Sequence, residues 1–600
     1  MRARLGSVSS LVAAVLSGCL VIAPLDEPSP GGTGGTAGKV SGGGSGGTGG
    51  TSAEAGAGGD QVSSGGASAT GGMTARGGTT GKGGGGAVSG DAGSGDQPAA
   101  GTGVGGALGG DECSTNEECV KLGRGEPYFC RQEDHTCVVL NTNDCPLVYG
   151  DFSHPNPIYF GSFGLLNDSH PDRNVTVWSS LLALEDINAA GGLPVGENGE
   201  LRPLVMVVCN SNEDAHPGII DRGMNHLAND VRVQALLATL RPADLQRSFQ
   251  AHLAKKVFFL SPISLTSTLT DAIYPKGELI WNLLGQPSDF APAYAKLLGH
   301  LEAYVRKARL LAKGTPIKVA LVTTTDEFDA DLQSFVFPAL RFNGNKTASQ
   351  NGDNFLNVEL DAQSPDIEKA RADIIEFNPD VIVSAAGDVM TQQGGLIGQI
   401  EATWAQTFRE DERPYFILSP YNAGDLNSIL PILNGIDGPA AMAEHFLGIT
   451  AASAIDPTLQ NAYALRLRNE NGNDVNVDTG NYFDAVYTLA YAMVAAHADL
   501  TGPNIAAAMP SLLEGEPFGT RPEEIEDTLA WLAVPNQTIA LSGTLGPPDY
   551  DPQTGVRAAT PSVFCFSFQG VLNLEDQVLR YDREHDVFTG SYPCIDNFAP

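Results

Sequence analysis

The sequence predicts an α/β protein whose folded part is two lobes, each a doubly wound parallel sheet. Three observations point there. From about Pro157 short apolar runs alternate with helical stretches. The runs are apolar throughout instead of alternating with polar residues, as strands buried on both faces of a parallel sheet require. The alternation continues to the end of the 600-residue chain, further than one hydrophobic core extends, so two lobes are expected with a ligand cleft between them.

The expected strands lie at 158–161, 204–208, 233–238, 257–260, 317–323, 381–384 and 415–418. The clearest helix starts near Thr176, where Val177, Leu181, Leu184 and Ile187 recur at helical spacing and Gly191-Gly192 supplies the stop. Further helices run through Tyr463 and from near Tyr482.

Residues 28–110 are a different material. They hold 35 of the 72 glycines, and no aromatic residue precedes Tyr128. Such a stretch has no large apolar side chains to offset its conformational entropy, so residues 19–110 read as a disordered Gly/Ser/Thr/Ala tether spanning roughly 50 Å.

At the N-terminus, Arg2 and Arg4 precede an apolar core at 11–16 that is too short to span a bilayer, the pattern of an export signal. The segment ends in Leu16-Ser17-Gly18-Cys19, which resembles the lipobox of bacterial lipoproteins. That resemblance implies removal of residues 1–18, lipidation of Cys19, and a protein anchored to the cell envelope, facing the periplasm or the cell surface.

Setting Cys19 aside leaves eight of the nine cysteines, an even number in an exported chain. Cys113, Cys119, Cys130 and Cys137 fall within residues 111–145 and read as a small two-disulfide module; a zinc site is the alternative, without a close C-x₂-C pair to support it. Cys565 and Cys594 flank the last segment and are expected to staple it. Cys145 and Cys209 remain as a pair by elimination. The 35 basic and 70 acidic residues, net charge −35, argue against nucleic acid as a partner.

Four stretches in order resemble type 1 periplasmic binding proteins of the leucine/isoleucine/valine-binding family. They are Ile158-Tyr-Phe-Gly-Ser-Phe-Gly164 with Leu181-Leu-Ala-Leu-Glu-Asp-Ile-Asn-Ala-Ala-Gly-Gly192; Phe259-Leu-Ser-Pro262 with Leu269-Thr270; Lys318-Val-Ala-Leu-Val-Thr-Thr-Thr-Asp-Glu-Phe328; and Tyr482-Phe-Asp-Ala-Val-Tyr-Thr-Leu-Ala-Tyr491. The resemblance implies a two-lobed type 1 periplasmic-binding-protein fold over 146–600, with lobe 1 at about 157–285 and 440–545 and lobe 2 at about 286–439 and 546–600. It implies a cleft that closes on a solute and performs no chemistry, one lobe holding a carboxylate and the other an ammonium.

Several positions depart from the family. Leu265 stands where the family has its ligand-binding threonine, with Ser264 and Thr266 beside it. Asp244 lies in a loop that is rich in Ser and Thr in the family, and would repel a carboxylate; Arg241 could pair with it or with an anionic ligand. Phe328 keeps an aromatic group at the family's tyrosine position. Tyr421, in Ser419-Pro420-Tyr421, replaces the family's glutamate and offers no full negative charge. Asp388 is the remaining candidate. Each of Asp244, Ser264, Thr266, Phe328, Asp388 and Tyr421 is a ligand-binding candidate whose plainer alternative is loop surface or lobe packing.

The folded region has no H-E-x-x-H, Walker loop, G-x-S-x-G elbow or Rossmann glycine fingerprint, so no enzyme activity and no cofactor are expected. Asp326-Glu-Phe-Asp329-Ala-Asp331 has the look of a calcium loop but lacks its glycine and its twelfth-position glutamate. The expected function is a solute-binding lipoprotein that delivers a small polar, amino-acid-like ligand to an ABC importer or a sensor. The alternative, favoured by the long tether and the altered site, is an envelope adaptor using the same fold to bind another protein.

Overall fold

The computed structural model describes residues 113–600 apart from 168, 173, 196–198, 214, 265, 268–278, 393, 409–411, 421, 423–444, 452–457, 472–478, 498, 566–578 and 591–600. The expected signal, Cys19, the tether, Tyr421 and Cys594 lie outside the described residues. No helix among those described is long and apolar enough to cross a membrane.

A small Cys-rich unit comes first: α1 (Asn116–Leu122), then the antiparallel hairpin of β1 (Tyr128–Arg131) and β2 (Thr136–Val139). Its sulfurs pair as Cys113–Cys130 and Cys119–Cys137, which consumes the three-cysteine group otherwise spaced to hold a metal. The unit does not stand alone. Phe129, Val138 and Leu140 belong to the hydrophobic core of lobe 1, and the Phe129 ring lies 4.7 Å from Tyr159. Asn116 Nδ2 donates to His154 O (2.6 Å), Arg131 Nη1 donates to Asp230 O (3.0 Å), and His226 Nε2 lies 3.0 Å from Leu140 O. Cys145–Cys209 then ties the following segment to the sheet, the pair expected by elimination. Cys565 is also disulfide-bonded.

Lobe 1 is built from β3 (Leu147–Tyr149), β4 (Ile158–Gly164), α2 (Val175–Ala189), β5 (Leu204–Asn210), β6 (Ala235–Leu237), α3 (Pro242–His252), β7 (Phe258–Ser261) and β8 (Ile280–Asn282). The chain crosses to lobe 2 for α4 (Pro287–Ala308), β9 (Val319–Thr324), α5 (Glu327–Ala339), β10 (Phe355–Leu360), α6 (Ile367–Phe377), β11 (Val381–Ala385), α7 (Leu396–Thr407), β12 (Tyr415–Leu418) and β13 (Phe446–Ala451). It returns to lobe 1 for α8 (Thr458–Asn471), α9 (Gly480–Ala495), β14 (Tyr550–Asp551) and β15 (Val556–Arg557). It ends in lobe 2 with β16 (Pro561–Cys565), β17 (Arg580–Asp582) and β18 (Val587–Thr589).

The first sheet runs β14-β15-β8-β7-β6-β4-β5-β3 and the second β10-β9-β11-β12-β13-β16-β17-β18. In each, five successive strands are parallel and keep the doubly wound order 2-1-3-4-5. Two such lobes, exchanged three times by one chain, are the type 1 periplasmic-binding-protein fold. Because β13 sits in the second sheet and β14 and β15 in the first, the second crossing follows Ala451 and the third follows Arg557. Both crossings come later than the sequence reading puts them, near 440 and 545.

Local chemistry explains the elements. Asn174 Oδ1 caps α2 by accepting from Thr176 N (3.0 Å) and Val177 N (3.1 Å), and Gly191 and Gly192, both at positive φ, end it; a Cβ on Gly192 would lie 2.3 Å from Arg202 O. In lobe 2 the pleat divides each strand between two cores. Val319, Leu321, Val381, Val383 and Ile417 face one, and Ala320, Val322, Ile382, Phe416 and Leu418 face the other. Every residue of α9 is buried, as a helix enclosed on all sides requires.

Candidate functional site

The carboxyl ends of the parallel strands form a rim on each lobe, where ligands bind in open α/β sheets. On lobe 1 the loop after β7 carries Ser264 and Thr266, both buried. Two asparagine amides fix its backbone: Asn282 Nδ2 donates to Ile263 O (2.6 Å) and Asn481 Nδ2 to Pro262 O (2.7 Å). Ser264 Oγ reaches Leu284 O at 3.5 Å. The buried Tyr482 hydroxyl bonds Thr239 on the neighbouring loop, and burial raises its pKa. Asp244 sits in the first turn of α3, with its carboxylate taken by Arg241 Nε (2.8 Å) and Arg247 Nη1 (2.9 Å). The pairing of Arg241 with Asp244 is therefore made.

On lobe 2 the acidic run at 326–331 splits into three tasks. Asp326 caps α5, accepting from Phe328 N at 3.0 Å. Asp329 Oδ2 accepts from Thr324 Oγ1 (2.7 Å) and Gly387 N (3.1 Å), tying α5 to the ends of β9 and β11. Burial, reinforced by Asp326, pushes the Asp329 carboxyl up to about 7. Asp331 points the other way, across the lobe boundary, and accepts from Ser267 N (2.8 Å) and Ser267 Oγ (2.6 Å). Phe328 is 2% exposed and packs in the lobe 2 core.

The loops after β11 and β12 are wired together. Asn422 Nδ2 donates to Gly387 O (3.0 Å), its Oδ1 accepts from Ser419 N (3.0 Å), and Tyr294 OH donates to Ser384 O (3.1 Å) and Leu418 O (3.2 Å). This network holds Pro420 and Asn422 on either side of position 421. Asp388 opens the helical turn Asp388–Thr391, one residue after Gly387; its side chain lies outside the described residues.

Two of the three crossings are described, and they are bonded to each other. Arg557 donates to Leu283 O (3.3 Å), Leu545 O (2.6 Å) and Pro547 O (3.0 Å). Asp289 accepts from Gln286 N (3.0 Å), Ala559 N (3.3 Å) and Arg583 Nη2 (2.7 Å). Asn282 joins this hinge to the site: the side chain that holds Ile263 also accepts from Leu284 N (3.1 Å) and Gly285 N (2.7 Å). Asp484, in the stretch Tyr482–Tyr491, holds the approach to the third crossing through Thr544 N (3.0 Å), Thr544 Oγ1 (2.8 Å) and Leu545 N (3.2 Å).

The structure thus gathers Ser264 and Thr266 on one rim and sets Phe328 in the helix facing it, with Asp244 held in an ion-pair cluster on α3. Asn282, Asn422, Asn481 and Arg557 carry no motif in the sequence. Asp331 does carry one, inside the acidic run, although the pattern there points to a cation loop. Two further cavities, of about 500 and 440 Å³, open on lobe 1. One is lined by Tyr149, His154, Leu184 and Glu185, the other by Asp186, Glu523 and Glu526.

No protein-family model matches the chain, and no curated protein does. Among solved structures it is similar to a leucine binding protein from Thermotoga maritima, with TM-score 0.47 and 12% identity over 70% of this chain and 97% of that one. It is also similar to a branched-chain amino acid transporter substrate binding protein from Streptococcus pneumoniae in complex with isoleucine (0.46, 14%, 70% and 98%). A third is a solute binding protein of an ABC transporter from Rhodopseudomonas palustris in complex with 3,4-dihydroxy benzoic acid (0.47, 12%, 74% and 98%). What the chain has in common with these proteins is the two-lobed type 1 fold that its own strand order sets out.

Proposed function

We propose that the chain is an extracytoplasmic solute-binding lipoprotein, anchored through Cys19 and tethered by residues 19–110, whose lobes close on a small polar ligand destined for an ABC importer or a sensor. The observation that carries this reading is the meeting of the β7 loop with the N-terminal turns of α5 across the lobe boundary, the β7 loop being bonded through Asn282 to the first crossing, which Arg557 links to the third. Closure of this kind is driven by contacts that a ligand makes to both lobes at once. The reading assigns the chain no catalytic step.

A thermal-shift screen of the full chain against amino acids, amides, sugars and peptidoglycan fragments tests it. A ligand at roughly 100 times its Kd stabilises by about 2.7 kcal/mol and raises the transition by several degrees. If none of these classes moves the transition, solute delivery falls. The second reading, an adaptor that binds a protein of the envelope, then takes its place. It is favoured by one specific observation, the direct Ser267–Asp331 bond by which the lobes hold each other.

A further inference from the structure

Among the described residues, three of the six buried carboxylates are paired with arginine. Asp244 is held by Arg241 and Arg247, Asp289 by Arg583 (2.7 Å) and Glu401 by Arg413 (3.0 Å), and the half-buried Asp186 is paired in the same way with Arg466 (2.6 Å). Each pair removes a charge that would be costly to bury alone. Asp329 and Asp484 have no arginine partner among the described residues, but each is satisfied by hydroxyls and amides around its own lobe, and burial pushes both toward the neutral acid.

Asp331 follows neither pattern. It is 9% exposed, and no basic side chain pairs with it among the described residues. Both of its bonds go to one residue of the opposite lobe: Ser267 N on Oδ2 and Ser267 Oγ on Oδ1. Ser267 directly follows Thr266 and lies three positions after Ser264, so Asp331 presses a carboxylate against the loop that the sequence singles out for ligand binding. Two adjacent donors on the two oxygens of one carboxylate reproduce the contact that an ammonium or guanidinium group makes. Such a group makes it more strongly, because the bonds are then charge-assisted. A ligand carboxylate in the same place would meet a like charge.

We infer that Asp331 is the acceptor for a cationic side-chain group of the ligand, a guanidinium or a terminal amine other than an α-ammonium on a small polar solute, and that Ser267 occupies the acceptor when the lobes meet directly. The inference rests on the solute-binding reading and deepens it. The ligand's cation displaces Ser267 as it enters.

The test compares wild type, D331N and S267A as full chains, by thermal shift and calorimetric titration. The probes are arginine, ornithine, agmatine and putrescine, with citrulline and leucine as neutral-side-chain comparisons and malonate as an acidic one. The expected result is binding of at least one cationic-side-chain probe to wild type, retained or tightened in S267A and weakened about 10- to 100-fold in D331N. Arginine and citrulline differ chiefly in that charge, so their comparison on wild type and S267A decides the matter without relying on D331N to fold. The inference is overturned by equal binding of arginine and citrulline, by amine binding that D331N leaves unchanged, or by no amine binding to wild type or S267A. In each of those cases, a neutral or acidic solute that still binds leaves the solute-binding reading standing, and no bound solute at all removes both.

Discussion

Asp329 shows how much one side chain in the acidic run is asked to do. It cross-links α5 to the ends of β9 and β11 while buried, and its carboxyl titrates near 7 instead of near its ordinary 3.8. The folded chain therefore keeps this proton up to about pH 7, whereas the unfolded chain releases it near pH 4. The contribution is fully present below pH 4 and is lost as pH rises through 7. Asp329→Asn keeps an acceptor oxygen for Thr324 and Gly387 with no charge to bury. Urea unfolding at about pH 5 and pH 8 should show wild type losing on the order of 2 kcal/mol more than the variant. Three neighbouring carboxylates look alike in one dimension. Their difference lies in which way each leaves the helix, which is why Asp326, Asp329 and Asp331 read as a possible cation loop until their partners are seen. Asn282 and Asn481 are harder still to detect, since an amide that holds a carbonyl from a distant segment leaves no local pattern.

Strands β4, β5, β7, β9, β11 and β12 are legible because each is buried on both faces and opens on an apolar run, with polar residues only toward its carboxyl end. Strand β10 escapes because it lies at the edge of its sheet, where Phe-Leu-Asn-Val-Glu-Leu alternates between exposed and buried positions. Strand β8 is only three residues long, and Gly448 interrupts the apolar run of β13. The hinge is equally hidden, because it is made of short segments brought together by the crossings. Gly285 is its tightest point: φ is +79°, and a Cβ there would lie 2.6 Å from Asp289 Oδ2 and 2.7 Å from the Ala559 methyl. Gly285→Ala should destabilise the chain by about 2 kcal/mol or more, combining left-handed strain with displacement of the Asp289 cluster. Chemical denaturation reads that loss. A Gly285→Ala chain as stable as wild type would show that the first crossing tolerates a quite different path.

The Cys-rich unit and lobe 1 are one body, since they share a core, a ring contact and several hydrogen bonds. Cys145–Cys209 closes a loop across 64 positions at their junction. By the loop-entropy argument, replacing both cysteines with serine should cost about 4 kcal/mol, visible as a lower unfolding midpoint that reductant no longer changes at this bridge. A chain starting at residue 111 should unfold like the full-length protein, because the preceding composition supplies nothing to pack; a large difference would mean that residues before 111 take part in the fold.

That bridge also determines where mechanical load goes. A pull entering at Cys113 meets the paired disulfides of the hairpin, then Cys145–Cys209, and spreads into β5. Gly285, Arg557 and Ala559 are not on that path. Under the anchoring proposed above, tension from residues before Cys113 would enter lobe 1 through these bridges and would not pass through those three hinge residues.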